Sequence, residues 1–343
     1  MRSPASRWRA AALRPCFART SLTARSTALY AAACLVAFTL VLNVAYSFDR
    51  SFTRLGAYHF TSAPFVHLQR TLERLPVLWR ARVPVPYPYL QGLDMVAYHE
   101  AHGTNYGNIY LLGQLRSGRD PAFHGFKSYY AIASFFKEPI ALQVLFLLGL
   151  LKLRKRRAFA DFVLGEGLLL AAAGALVLWF SFFNRAQVGI RHILPALAIG
   201  VVIAAAPFSR FPLLPRRARV GLSLLVVWLG LSMLSYYPHL IPYMNEWAGD
   251  RRLSYRLLAD SNLDWGQNAY LVWEFLDKNP DVVLNPKSPV CGRVLISANH
   301  LAGVVGSHAL SWAWGYQPVA HVGYAHFLFR ISPDEAFCDG ASP

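Results

Sequence analysis

VGLSLLVVWLGLSMLSYYPHLIPYMNEWAGDRRLSYRLLADSNLDWGQ, residues 220–267, decides the architecture of this chain. Its first eighteen residues, Val220 to Tyr237, carry no charge, and Pro238 then ends any helix they form. Beyond the proline the composition turns polar and aromatic, and Asp260, Asn262, Asp264, Trp265 and Gln267 crowd into eight residues. An uncharged run of this length suits a membrane span, which needs about 17–25 mostly apolar residues. The chain beyond Pro238 reads as a small soluble domain outside the lipid.

Working back toward the N-terminus, similar runs recur at Ala28–Phe48, Phe159–Phe183 and Ile190–Phe208. A fifth, Pro139–Leu151, is short unless the aromatic stretch Tyr129–Phe136 belongs to it, which puts Lys137 and Glu138 near an interface. The whole chain has 343 residues, 55% hydrophobic and only 15% charged, against about 25% charged for an average soluble domain. The expectation is an α-helical membrane protein of about five spans with a small α/β domain at its C-terminal end.

The charge of +16 needs placing before it is read as a nucleic-acid partner. Six arginines (2, 7, 9, 14, 19 and 25) precede the first span. Lys152 to Arg157 follow the second, and Arg210, Arg216, Arg217 and Arg219 precede the fifth. With alternating spans all three clusters fall on one side, as lysine and arginine resist translocation. Topology absorbs the excess, and no nucleic-acid partner is implied. The expected organisation is a basic cytoplasmic leader, 1–27; a transmembrane region, 28–237, with a long outer loop at 49–138; and an exported domain, 238–343. The first apolar run is read as a retained anchor, since it exceeds the 7–15 residues of a cleaved signal core.

In the outer loop, Phe65, Leu68, Leu72 and Leu75 predict an amphipathic helix. VPVPYPYLQGLD, with prolines at 84, 86 and 88, predicts extended chain, and the glycines and asparagines after Ala97 an irregular loop. In the C-terminal domain, Ala269–Leu276 reads as helix and Arg293–Ser297 and Val322–Ile331 as strands.

Candidate site residues follow from placement. Arg185 and Arg191, between the third and fourth spans, offer bidentate grips for a lipid phosphate, with interfacial anchoring as the alternative. Asp260, Asn262, Asp264, Trp265 and Gln267 suit either a sugar or lipid site, or packing in which Ser261 or Asn262 caps the following helix. Their spacing lacks the glycine and glutamate of an EF-hand. Glu166 lies within a span; His99, His102 and His124 match no recognised zinc spacing, so no metal is expected. Cys291 and Cys338 both fall in the exported domain and are candidates for a disulfide, with two free thiols as the alternative.

RHILPALAIG, YYPHLIPYMNEWAGD and LADSNLDWGQ resemble the C-terminal half of bacterial phospholipid-carrier-dependent glycosyltransferases, the protein O-mannosyltransferase-like branch of the GT-C superfamily. PVPYPYLQGLD, NIYLLGQ and FFKEPIAL resemble the preceding outer loop of that group, and ISANHLAG with QPVAHVGYAHFLFRI its closing domain. The likeness covers roughly residues 40 to 331. It implies transfer of a sugar from a polyprenyl-phosphate carrier to an envelope acceptor at a bacterial inner membrane. The N-terminus would be cytoplasmic, the C-terminal domain periplasmic or extracellular, and no cofactor needed beyond the lipid-linked donor. The acidic outer loop of the family's N-terminal spans has no counterpart here. The surroundings of Asp49 do not match it, and Asp49, Asp94 and Glu100 are the candidate acids taken from the outer side. The expectation is therefore a truncated enzyme, a chain completed by a second one supplying those spans, or a degenerate relative, with a non-catalytic scaffold or glycan-binding subunit as the alternative.

Overall fold

The computed structural model describes residues 24–103, 107–154, 163–185, 187–306 and 308–332. The chain forms two compact units, 1–98 and 99–343.

In the first unit, helix α1 (Ala24–Ala45) displays leucine and valine on every side, with Leu35 and Val41 about two-thirds exposed. A helix apolar all round needs lipid or protein about it. Its buried Asn43 donates to Thr39 O at 2.8 Å and Pro84 O at 2.9 Å and accepts from the Ser51 hydroxyl. The expected amphipathic helix is α2 (Ala63–Glu73), followed by the single turn α3 (Pro76–Trp79). The proline-rich stretch is non-helical only to Pro86: helix α4 runs from Tyr87 to His102. The expectation of extended chain fails there because Pro88 occupies the first helical turn, where a missing N–H costs nothing. Part of the expected irregular loop is thus helix.

The rest of that loop opens the second unit as a hairpin of β1 (Asn108–Leu111) and β2 (Gln114–Ser117). Leu112 and Gly113, both at positive φ, make its two-residue turn. Helix α5 (Tyr129–Lys137) follows, then α6 (Ile140–Arg154), bent from it by 112° across Glu138-Pro139. A π-type turn, Val163–Gly167, leads into α7 (Leu168–Phe182). Next come α8 (Leu194–Ala204) and α9 (Arg216–Leu234). Four described helical stretches are long and apolar enough to cross a membrane, five if the bent pair counts as one. Gly149 lets α6 meet α8 backbone to backbone: a Cβ there would lie 2.2 Å from Ile203 O.

The C-terminal part carries α10 (Ala269–Lys278), then strands β3 (Val282–Leu284) and β4 (Gly292–Ser297), the single turn α11 (Ala298–Leu301), β5 (Ala320–Val322) and β6 (His326–Ile331). Sheet order is β3-β4-β6-β5, with β3 parallel to β4 and the other pairs antiparallel. Side chains alternate across the strands. Leu295 and Leu328 face Val272 of α10, while Val294, Ile296, Phe327 and Phe329 join the main core. That core also holds Tyr129, Tyr130 and Ala133 of α5 and Ala196 of α8. The sheet, α5 and the start of α8 therefore form one packed body.

Candidate functional site

The polar stretch after the last long apolar helix folds as a short 3-10 turn, Asp260–Asn262, with Asp260 at φ +58. Aspartate tolerates that left-handed conformation, and its Oδ1 accepts from Ser261 N at 2.6 Å. Asn262 does not cap the next helix, which starts seven residues later at Ala269. It is fully buried and faces backward: Nδ2 donates to the Tyr129 hydroxyl at 2.9 Å, and Oδ1 accepts from Ile190 N at 3.2 Å. Tyr129 Oη also accepts from Gly189 N at 2.9 Å. Gly189 sits at φ +111, where a Cβ would come within 3.1 Å of Ser261 Cβ, so only glycine fits the approach.

Lys137, 8% exposed, completes the network from α5. Its ammonium donates to Ile241 O and Asn262 O, each at 2.6 Å. Asn245 ties the same helix end by donating to Phe135 O and to Glu138 O at 2.8 Å, while its backbone N–H donates to Phe136 O. Buried polar groups must be paired, and here the pairing fixes four distant segments together. Residues near 136, 190, 241 and 262 are held in one place.

Above this network opens a groove of about 600 Å³. Its walls are mainly apolar, including Leu142, Leu194, Leu229 and Met233. Lys137, Glu138, Arg191, Tyr243, Ser261 and Trp265 supply its polar edge. The Arg191 guanidinium lies over the Trp265 ring, 4.4 Å from its centroid, and Trp265 Nε1 donates to Ser261 O at 3.1 Å. Trp265 is itself held by its neighbour, since its N–H donates to Gln267 Oε1 at 2.6 Å. Asp264 Oδ1 accepts from Gly266 N and closes the same turn. A cation on an aromatic platform beside an apolar wall can receive an anionic head with a hydrocarbon tail.

The two arginines singled out by the sequence are separated in role. Arg191 lines the groove, whereas Arg185 donates its backbone N–H to Glu100 Oε1 and its guanidinium to His124 Nδ1 at 3.1 Å. Asp94 is 2% exposed, with both oxygens occupied by Thr61 N, Ser62 N and the Ser62 hydroxyl. Burial raises its carboxyl pKa, but these three donors outweigh burial and hold it below the ordinary value. Such a saturated carboxylate organises the entry to α2. Asp49 is exposed and pairs with Arg50 at 3.5 Å. Glu166 falls in the π-type turn and does not line the groove. Among the described residues no cluster of three histidine, cysteine or acidic side chains could hold a metal. Cys291 is disulfide-bonded, and Cys338 lies outside the described residues.

Sequence reasoning missed Lys137, Glu138, Tyr129 and Asn245 as parts of the site. A signal existed: Lys-Glu-Pro interrupting an otherwise uncharged run of more than twenty residues. No family model, curated protein or solved structure matches this chain.

Proposed function

We propose that this chain is a multi-pass membrane protein related to glycosyltransferases, and that it binds a polyprenyl-phosphate-linked sugar in the groove of Arg191 and Trp265. In this reading α1, the α5–α6 pair, α7, α8 and α9 are five spans of a bacterial inner membrane. The N-terminus is cytoplasmic, and the sheet-bearing domain lies on the outer face. The observation that carries the reading is the Arg191 guanidinium stacked on Trp265 at the edge of an apolar-walled groove. Phosphate would pair with the guanidinium, and the hydrocarbon would follow the apolar wall.

Support also comes from convergence. FFKEPIAL, RHILPALAIG and LADSNLDWGQ, which carry the family resemblance, each send a residue to the groove: Lys137 and Glu138, Arg191, and Ser261 with Trp265. Glu138 is the one carboxylate among the groove's lining residues, and Asp94 is committed to Thr61 N, Ser62 N and the Ser62 hydroxyl. In this reading the chain supplies the carrier-binding part of sugar transfer. The test is binding of a polyprenyl phosphate to the full chain in nanodiscs, followed by a transfer assay with a polyprenyl-phosphate-linked sugar. Arg191→Ala and Trp265→Ala should each weaken binding about tenfold or more. Unchanged binding in both variants sinks the assignment.

A further inference from the structure

A second groove, of about 380 Å³, lies at the other end of α9. Arg216 and Arg219 stand at its mouth, three residues apart in the first turns of the helix, so their side chains share one face. Among the described residues neither side chain has a hydrogen-bond or ion-pair partner. The nearby cation Lys152 is spent differently: it donates to Ala206 O, Pro207 O and the Ser209 hydroxyl, closing the chain after α8. Below the arginines the wall is Phe211, Val220, Leu224 and Val227, with Ser223 the remaining polar lining residue. Val220, Leu224 and Val227 recur at i, i+4 and i+7 and are each at least half exposed. The positive end of the α9 dipole points to the same mouth.

We propose that this groove is a binding site for one anionic phospholipid, its phosphate between Arg216 and Arg219 and an acyl chain along Val220, Leu224 and Val227. Charge complementarity selects the head, and the apolar stripe continuing down the helix selects an amphiphile over a free phosphate. Basic pockets at the cytoplasmic ends of spanning helices bind acidic headgroups by the same physics. The neighbouring Arg217 has equal charge but does not line the groove, which separates a site from general attraction of the basic cluster for acidic lipid.

The inference rests on the reading of α9 as a membrane span, independently of any sugar transfer. The full chain is placed in phosphatidylcholine nanodiscs containing a minor fraction of phosphatidylglycerol, and native mass spectrometry records which lipid stays bound. Wild type should retain phosphatidylglycerol preferentially, and Arg216→Ala with Arg219→Ala should lower retention about tenfold. Arg217→Ala should leave it unchanged. Leu224→Trp, which fills the groove at an exposed position without altering charge, should displace the lipid. If Arg217→Ala is as damaging as the pair, or Leu224→Trp has no effect, the arginines serve topology alone and the site is overturned. A chain that does not enter discs overturns the membrane reading and the site with it. One that enters without preferring phosphatidylglycerol overturns only the site.

Discussion

Asn262→Ala tests whether the buried network holds the groove together. The substitution leaves Ile190 N–H without its acceptor and removes the donors to Tyr129 Oη and Ala259 O. An unpaired buried N–H costs about 1–3 kcal/mol and each of the two further lost bonds about 0.5–1.5, so the sum is about 2–6 kcal/mol. For a body of this size that is a fall in melting temperature of roughly 4–24 °C. The assay is intrinsic tryptophan fluorescence of the detergent-solubilised chain during heating. Combination with Tyr129→Phe completes a double-mutant cycle, which should show about 1 kcal/mol of coupling, because both changes delete the same hydrogen bond. Arg191 follows Ile190 directly, so carrier-lipid binding should weaken along with stability. A melting temperature within about 2 °C of wild type and no coupling would refute the view that Asn262 is a strut of the site.

Gly189→Ala should destabilise the same region by about 1–3 kcal/mol, since the added methyl meets Ser261 at positive φ; a wild-type melting curve would contradict the close approach. Asp94→Ala strands Thr61 N–H, Ser62 N–H and the Ser62 hydroxyl, so limited proteolysis between residues 49 and 86 should accelerate. Because the folded pKa of Asp94 is depressed, its stabilisation is complete above the ordinary carboxylate value near 3.8 and vanishes as pH falls through the lower folded value. His326, His300 and His321 are pushed below the ordinary histidine value by burial, against the opposing charge of Asp264 at the first two and Asp250 at the third. The unfolded chain then binds more protons, and the sheet-bearing body should lose stability as pH falls from the ordinary value near 6.5 through the folded ones. His326→Gln should flatten part of that slope, measured by melting temperature against pH.

Much of the helical layout was legible because uncharged runs as long as Val220–Leu234 leave no other economical fold for the backbone. The strands of the C-terminal part were legible because RVLIS and HFLFRI are rich in β-branched and aromatic residues, and both faces of these strands are buried. Helix α4 was not, because prolines argue against a helix interior and only position tells that Pro88 sits in the first turn. The site was half legible. Charge and placement picked out Arg191, but the same reasoning picked out Arg185, and only the fold shows one in the groove and the other on His124. Asn262 stood out by composition, yet its partners Tyr129 and Lys137 lie more than a hundred residues away, beyond the reach of local spacing.

The bend at Glu138-Pro139 has a mechanical consequence for the surrounding lipid. On the proposed membrane reading, with α5 turned aside by 112°, the α6 part of the α5–α6 span has fifteen residues, about 22 Å of helix against roughly 30 Å of hydrocarbon. A mismatch of about 8 Å would draw the adjacent leaflet inward. The bilayer would then be thinnest beside Glu138, which also edges the groove of Arg191. On the proposed reading, a headgroup diffusing in that leaflet would dip toward the guanidinium before touching protein, and the short helix would act as a ramp that lowers the lipid into its seat.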